Sequence, residues 1–170
     1  MELNCELAIV RSWRPKDRES LARHANNPRV AEYLRDLFPQ PYTLDDAKQW
    51  IDLCLNNKPE TNFAIAVEDE AVGGIGIILQ TDNYRKNAEI GYWLGEPYWG
   101  RGIMTPVLNS MVKYVFQNFD LERIFAGIIQ HNGASMRVLE KAGFVCEAVF
   151  KKSIYKNGKL YDEHIYSIRR

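Results

Sequence analysis

One stretch, residues 91–106, limits the fold more than any other. The apolar run that ends in it, residues 87–94, has the make-up of a strand. It enters a turn carrying Gly95, Gly100 and Gly102. The turn opens into residues 105–119, where Leu108, Met111, Val112, Val115 and Phe119 form one helical stripe and Pro106 suits the first turn. Residues 123–129 again read as a strand. Strand, helix and strand in this order predict a parallel crossover pair. The N–H groups of a helix start have no intrahelical partners and carry the positive end of the dipole. Glycines let an anion approach them, so the expected ligand of the turn is a pyrophosphate.

The rest of the chain surrounds this unit with antiparallel structure. A strand is expected over residues 6–13, a helix from Pro15 to about Ala25, and a short helical piece over residues 28–35. Thr43 is a good N-cap, with Asp45 and Asp46 in the first turn of a helix carrying Ala47, Trp50, Ile51 and Cys54. Residues 63–68 and 71–79 form a hairpin about Asp69-Glu70. A further helix runs to Ala142, where Gly143 suits a left-handed cap. Residues 144–155 and 159–168 are strands joined through Asn157-Gly158, the strongest short hairpin signal. The fold class is α/β in the α+β sense: one domain, residues 1–170, around a mixed and mostly antiparallel sheet with one parallel crossover pair, flanked by helices.

Composition narrows the partners. Lys plus Arg and Asp plus Glu are 22 each, so no net field draws in nucleic acid or an anionic membrane. No apolar run approaches a membrane span, and the N-terminus lacks the pattern of a secretion signal. Cys5, Cys54 and Cys146 are odd in number and widely spaced, which reads as three reduced, buried thiols in a cytoplasmic protein. His24, His131 and His164 show no metal spacing, so no metal is expected.

Neither standard nucleotide fingerprint fits the turn. Gly100-Arg101-Gly102 is not followed by the third glycine of a dinucleotide site, and no Gly-Lys-Ser/Thr closes a P-loop. Three motifs in order carry more information: Ala88-Glu89-Ile90-Gly91-Tyr92-Trp93-Leu94 with Trp99-Gly100-Arg101-Gly102, then Asn132-Gly133-Ala134-Ser135, then Leu139-Glu140-Lys141-Ala142-Gly143-Phe144. With the closing Asn157-Gly158 hairpin and Tyr161-Asp162, the chain resembles the GNAT superfamily of N-acetyltransferases over nearly its whole length, and within it the RimJ/RimL branch that acetylates ribosomal-protein N-termini.

The resemblance implies acetyl-CoA as co-substrate and a primary amine as acceptor, a protein N-terminus or a small molecule. It lays the pantetheine arm along Tyr92, Trp93 and Leu94. It lays the pyrophosphate on Trp99, Gly100, Arg101, Gly102, Ile103, Met104 and Thr105, and turns Asn132 and Ser135 toward the cofactor. Departures are visible: Trp99 and Met104 stand at the ends of the usual Gln/Arg-x-x-Gly-x-Gly/Ala loop, and Pro106-Val107 follow Thr105 where Glu-Ala is common. Arg101, within the turn, is a better phosphate partner than Arg137.

Acetyl transfer to an amine needs the amine unprotonated. For a lysine-like amine that costs roughly 4–5 kcal/mol at neutral pH, against about 1 for an α-amine. Glu89 is the candidate base, matching a catalytic glutamate of several superfamily members; its other reading is a paired strand carboxylate. Many members place a tyrosine acid where this chain has Leu139, so Ser135 is the candidate donor to the leaving thiolate, or else a helix-start serine. Phe38, Pro39, Tyr42 and Tyr155 are candidate acceptor-lining residues. The second function class is a catalytically weak acyl-CoA-binding module with a sensory role, and the assembly is expected to be a monomer or homodimer.

Overall fold

Glu68 and Asp69 both adopt positive φ, 49° and 69°, and so close the first long hairpin one residue earlier than the sequence suggests. The computed structural model describes residues 1–170. Its strands are β1 (Glu2–Cys5), β2 (Ala8–Arg11), β3 (Asn62–Val67), β4 (Glu70–Leu79), β5 (Asn87–Leu94), β6 (Arg123–Ile129), β7 (Val145–Lys156) and β8 (Lys159–Arg169). The helices are α1 (Arg18–Ala25), α2 (Pro28–Ala31), α3 (Leu44–Asn56), α4 (Met104–Asn118) and α5 (Gly133–Lys141). The strand order is β1-β2-β3-β4-β5-β6-β8-β7. The β5–β6 pair is parallel, as the crossover requires, and its ladder joins Asn87, Ala88 and Glu89 to Arg123, Ile124 and Phe125. The sheet is therefore the mixed, mostly antiparallel one that the sequence predicts.

The first strand differs from expectation. Residues 6–13 are not one strand, because Glu6 turns at φ 57° and Leu7 N–H donates to the Cys5 carbonyl. The result is the short β1–β2 hairpin, in which Cys5 pairs with Ala8 and the buried positions change parity across the turn. The helical piece after Pro28 is also shorter than expected and ends at Ala31. Cys5 and Cys54 are buried, and burial, with the Glu60 charge behind it, pushes the Cys54 thiol up to about 12. Cys146, expected to be buried, is exposed, because it lies on the edge strand β7.

Two compact units are distinguishable: Met1–Ile77 with Gly91–Ser110, and Ile78–Ile90 with Met111–Arg170. In the first, Trp13, Leu21, Ala25, Tyr42, Ala47, Ile51 and Ala64 form a buried cluster, with Phe38, Trp50 and Trp93 packed on it. The helix that supplies Ala47 and Ile51 starts at a capping box, with Thr43 Oγ1 and Asp46 each serving the other's backbone N–H. Arg11 and Asp17, both almost fully buried, pair at 2.7 Å. Burial also raises the Tyr42 phenol, assisted by Asp46 and Cys54. The second unit buries Met111, Val115, Ile124, Ala126, Leu139 and Phe144. There Arg123, chiefly, with Ser167 and Arg169, holds Glu147 down at about 2. Tyr166 donates to Glu140 at 2.9 Å, and burial pushes its phenol up to about 12.

Candidate functional site

In the first unit the site is built at the end of β5. Trp93 turns its indole over Gly74, where an added Cβ would stand 2.9 Å from Nε1. A side chain at 74 would push the indole off the sheet. Phe38 meets Trp93 edge-on at 5.6 Å between ring centres and Tyr42 at 5.0 Å. Of the residues expected to line the acceptor, Phe38 and Tyr42 are thus gathered around Trp93. Tyr92 is half-buried, and Leu94 is buried.

The Leu94 carbonyl accepts from Trp99 Nε1 at 2.7 Å. This bond folds the indole back across the short turn of residues 95–99. The same turn is braced from the helices. Asn27 Nδ2 donates to Glu96 at 2.6 Å and Arg29 pairs with the same carboxylate. The Arg29 guanidinium lies 5.6 Å from the Trp99 ring, and Arg101 lies 5.2 Å from the Tyr98 ring. His24, bonded to Glu70 at 2.6 Å, packs edge-on to Tyr98 and leaves no room for a Cβ at Gly95. The sequence did not point to Asn27, Arg29 or Glu96. Their positions depend on long-range packing, and no local pattern marks them.

Beyond Trp99 the backbone turns left-handed twice, with φ of 72° at Gly100 and 77° at Gly102. Both glycines are exposed, and a Cβ at either would meet nothing within 4 Å. Conformation, rather than crowding by other parts of the protein, is what demands glycine here. Ile103 is buried and stands just before α4, accepting from Val107 N–H. An isoleucine side chain has no acceptor with which to cap the helix. By helix geometry the N–H groups of Met104 and Thr105 lie in the first turn without intrahelical acceptors, and Pro106 has none. The turn and helix start therefore carry a run of donors beside open space at Gly100 and Gly102, which suits a pyrophosphate.

The second unit holds the remaining candidates. Glu89 is half-buried on β5, level with Phe125 of β6. Asn132 caps α5: its Oδ1 accepts from Ser135 N–H at 3.2 Å. Ser135 stands in the first helical turn and is half-buried. Leu139, one turn later, is completely buried. Arg137 reaches back along the helix toward Gly133. Tyr155 is exposed on β7. No three of the His, Cys, Asp and Glu side chains are grouped to hold a metal, and no helix is long and apolar enough to cross a membrane.

Residues 8–145 match the family model "Acetyltransferase (GNAT) domain". The Bacillus subtilis (strain 168) protein named "Probable N-acetyltransferase YjcK" is 36% identical over 116 residues, 67% of this chain and 64% of its own length. The ribosomal-protein-serine acetyltransferase of Escherichia coli (strain K12) is 31% identical over 105 residues, 62% of this chain and 58% of its own length. The chain thus spans somewhat under two thirds of these relatives. A crystal structure of a GNAT-family acetyltransferase from Bacillus anthracis superposes with a TM-score of 0.85 at 27% identity, covering 99% of this chain and 98% of that one.

Proposed function

Because the chain belongs to the GNAT acetyltransferase family, we propose that it transfers the acetyl group of acetyl-CoA to a primary amine. The observation that carries the reading is the doubly left-handed turn at Gly100 and Gly102, exposed and running through Ile103 into the start of α4. Its donors, with Arg101, are assigned to the pyrophosphate, from Trp99 through Ile103 to Met104 and Thr105. Tyr92, Trp93 and Leu94 are assigned to the pantetheine amides. The Leu94 carbonyl is already bonded to Trp99, so the pairing rests on the other amide groups of that segment. Asn132 and Ser135 are assigned to the cofactor on the strength of the family resemblance.

In the reaction the acceptor ammonium first gives up a proton, to Glu89 or to water. The amine lone pair attacks the thioester carbonyl, a C–N bond forms and the C–S bond breaks. Coenzyme A leaves as a thiolate, steadied by the Ser135 hydroxyl, and takes up the proton that the newly acylated nitrogen sheds. The E. coli relative acts, by its name, on a ribosomal-protein serine terminus, which supports a protein α-amine as one acceptor class. Small amines are the other. The three free cysteines suit a reducing compartment, and cytoplasmic residence belongs to the same reading.

A second reading has one specific support. Leu139 is buried, so the common tyrosine acid has no counterpart at that position, and a weakly catalytic acyl-CoA-binding module follows if Ser135 does not act. Titration with acetyl-CoA, followed by thiol release with N-terminal peptides, polyamines and aminoglycosides, separates the two. Binding with turnover on at least one amine supports the transferase. Binding without turnover favours the module, and no binding removes both. In the transferase, Glu89→Gln lowers turnover mainly below the amine's pKa, whereas an unchanged pH profile takes Glu89 out of the mechanism.

A further inference from the structure

The second unit has an open cavity of about 290 Å³ whose lining includes Gln80, Asn87, Phe125, Phe150 and Ile165. It lies on the sheet face that carries Glu89, because Asn87 and Glu89 are two residues apart on β5 and Glu89 is level with Phe125. Ile165 is a buried floor, while Phe150 is half exposed.

Beyond Phe125 and Ile165, the same sheet face carries a carboxylate. Gly127 follows Phe125 by two residues on β6, hence on the same face, roughly 7 Å along the strand. The space a side chain would fill at Gly127 is taken by Glu163: a Cβ there would overlap a carboxylate oxygen and stand 3.1 Å from Cδ. Glu163 is level with Phe150 and two residues before Ile165, which places it on the sheet face of these two lining residues, just beyond the lining itself. Ser153 Oγ, in the irregular part of β7, lies 3.3 Å from its Oε2. The neighbouring carboxylates are matched to cations instead. Asp162 holds Lys151, and Glu147 holds Arg123 and Arg169.

The opposite edge is cationic. Arg123 belongs to the lining, lies 4.6 Å over the Phe125 ring and donates to Asn87 Oδ1 at 3.1 Å. Paired to Glu147 and backed by Arg169, it keeps that end of the cavity from welcoming a second positive charge.

The geometry points to a specific acceptor class for the proposed transferase: a monocationic amine with a compact apolar body. The body rests on Phe125, Phe150 and Ile165, and the ammonium lies just beyond them at Glu163, beside Glu89. The volume takes a group of about side-chain to small-molecule size, at the low end of ligand pockets. Polyamines are disfavoured, because their second charge would face Arg123. Glu163 stabilises the bound ammonium form, so its contribution appears in binding and not in the chemical step.

This inference rests on the acetyltransferase reading, and its test is kept separate by omitting acetyl-CoA. The full chain is titrated with phenethylamine, with ethanolamine and with spermidine at pH 7, and binding is followed by protein NMR shifts. Phenethylamine should bind best, perturbing residues around Phe125 and Ile165. Glu163→Gln should weaken it about tenfold or more, the loss expected for a charge-assisted hydrogen bond. Glu163→Asp should recover part of that loss, and Phe150→Ala should weaken binding by about threefold to tenfold through lost apolar contact. With acetyl-CoA added, Glu163→Gln should raise KM for phenethylamine by the same factor and leave kcat at high pH nearly unchanged. Equal binding of all three amines, preference for spermidine, or indifference to Glu163→Gln overturns the proposal. So does a dimer, seen by light scattering, that covers this face. Retained phenethylamine binding without any acetyl transfer overturns the transferase reading and leaves the cavity assignment standing.

Discussion

Two helix starts in this molecule solve the same problem in opposite ways. Both α4 and α5 begin just after a strand of the parallel pair, and both present first-turn N–H groups. At α5 the chain supplies its own acceptor, because Asn132 Oδ1 takes the Ser135 N–H. At α4 the residue in the corresponding place is Ile103, whose buried side chain anchors the turn but accepts nothing. Two left-handed glycines precede it. A capped start is finished within the protein. A start led by glycines and an apolar anchor leaves its donors for a ligand, which we propose is the pyrophosphate of acetyl-CoA.

If the contrast is right, the largest effect comes from breaking the open start. Gly102→Ala forces a Cβ into φ near 77°, a conformation that costs an L-residue about 1–2 kcal/mol. The turn relaxes away from it, and acetyl-CoA affinity should fall by about tenfold or more while the circular dichroism spectrum is kept. Gly100→Ala should act in the same direction. Unchanged affinity in both would mean that the turn does not hold the ligand.

At the opposite end of β6 from the capped start, polar groups are also matched internally, and pH tests this. Glu147 sits at about 2 in the folded protein against an ordinary 4.5, chiefly through Arg123. Its carboxylate therefore stabilises the fold fully above 4.5, and that contribution disappears as pH falls through 4.5 toward 2. Glu147→Gln should lower Tm at pH 7 and converge with the wild type near pH 2. A constant offset across the whole pH range would show that the charge is not what matters.

Removing the cap itself is milder. Asn132→Ala should cost about 1 kcal/mol by chemical denaturation, with Asn132→Asp restoring most of it. If Asn132 only caps, acetyl-CoA affinity stays within about threefold; a larger loss assigns it to the ligand as well. The smallest effect is expected from Trp99→Phe, which deletes the bond to the Leu94 carbonyl at an exposed position. Its cost should be under about 1 kcal/mol, because water can replace the donor. A greater loss, with weakened acetyl-CoA binding, would make the folded-back indole part of the ligand site.

Particular elements show how much was legible in advance. The stripe of Leu108, Met111, Val112 and Val115 marks α4 to within a residue at each end, since its burial repeats at the helical period. Asn157-Gly158 takes positive φ at both residues, the conformation its hairpin needs. The N-terminal hairpin was not legible because Glu6 is a poor turn marker and Leu3, Cys5, Leu7 and Ile9 keep a strand-like spacing in the sequence, although Leu7 is exposed in the turn. Thr43 was legible as a cap, while Asn27, Arg29 and Glu96 were not legible as braces of the glycine turn.

The sequence by itself determined what depends on neighbours a few residues apart: helix periods, caps, turns, and the order of strand, glycine turn and helix. It also carried the family, because motifs in fixed order identify a lineage. Only the tertiary structure decided which distant groups meet. It placed Trp93 over Gly74, folded Trp99 back on Leu94, and laid Glu163 across the bare backbone of Gly127. The physical reason is range. Backbone conformation follows from local sterics and hydrogen bonding, whereas a cavity lined by Asn87, Phe125, Phe150 and Ile165 exists only after strands far apart in the chain have paired in register.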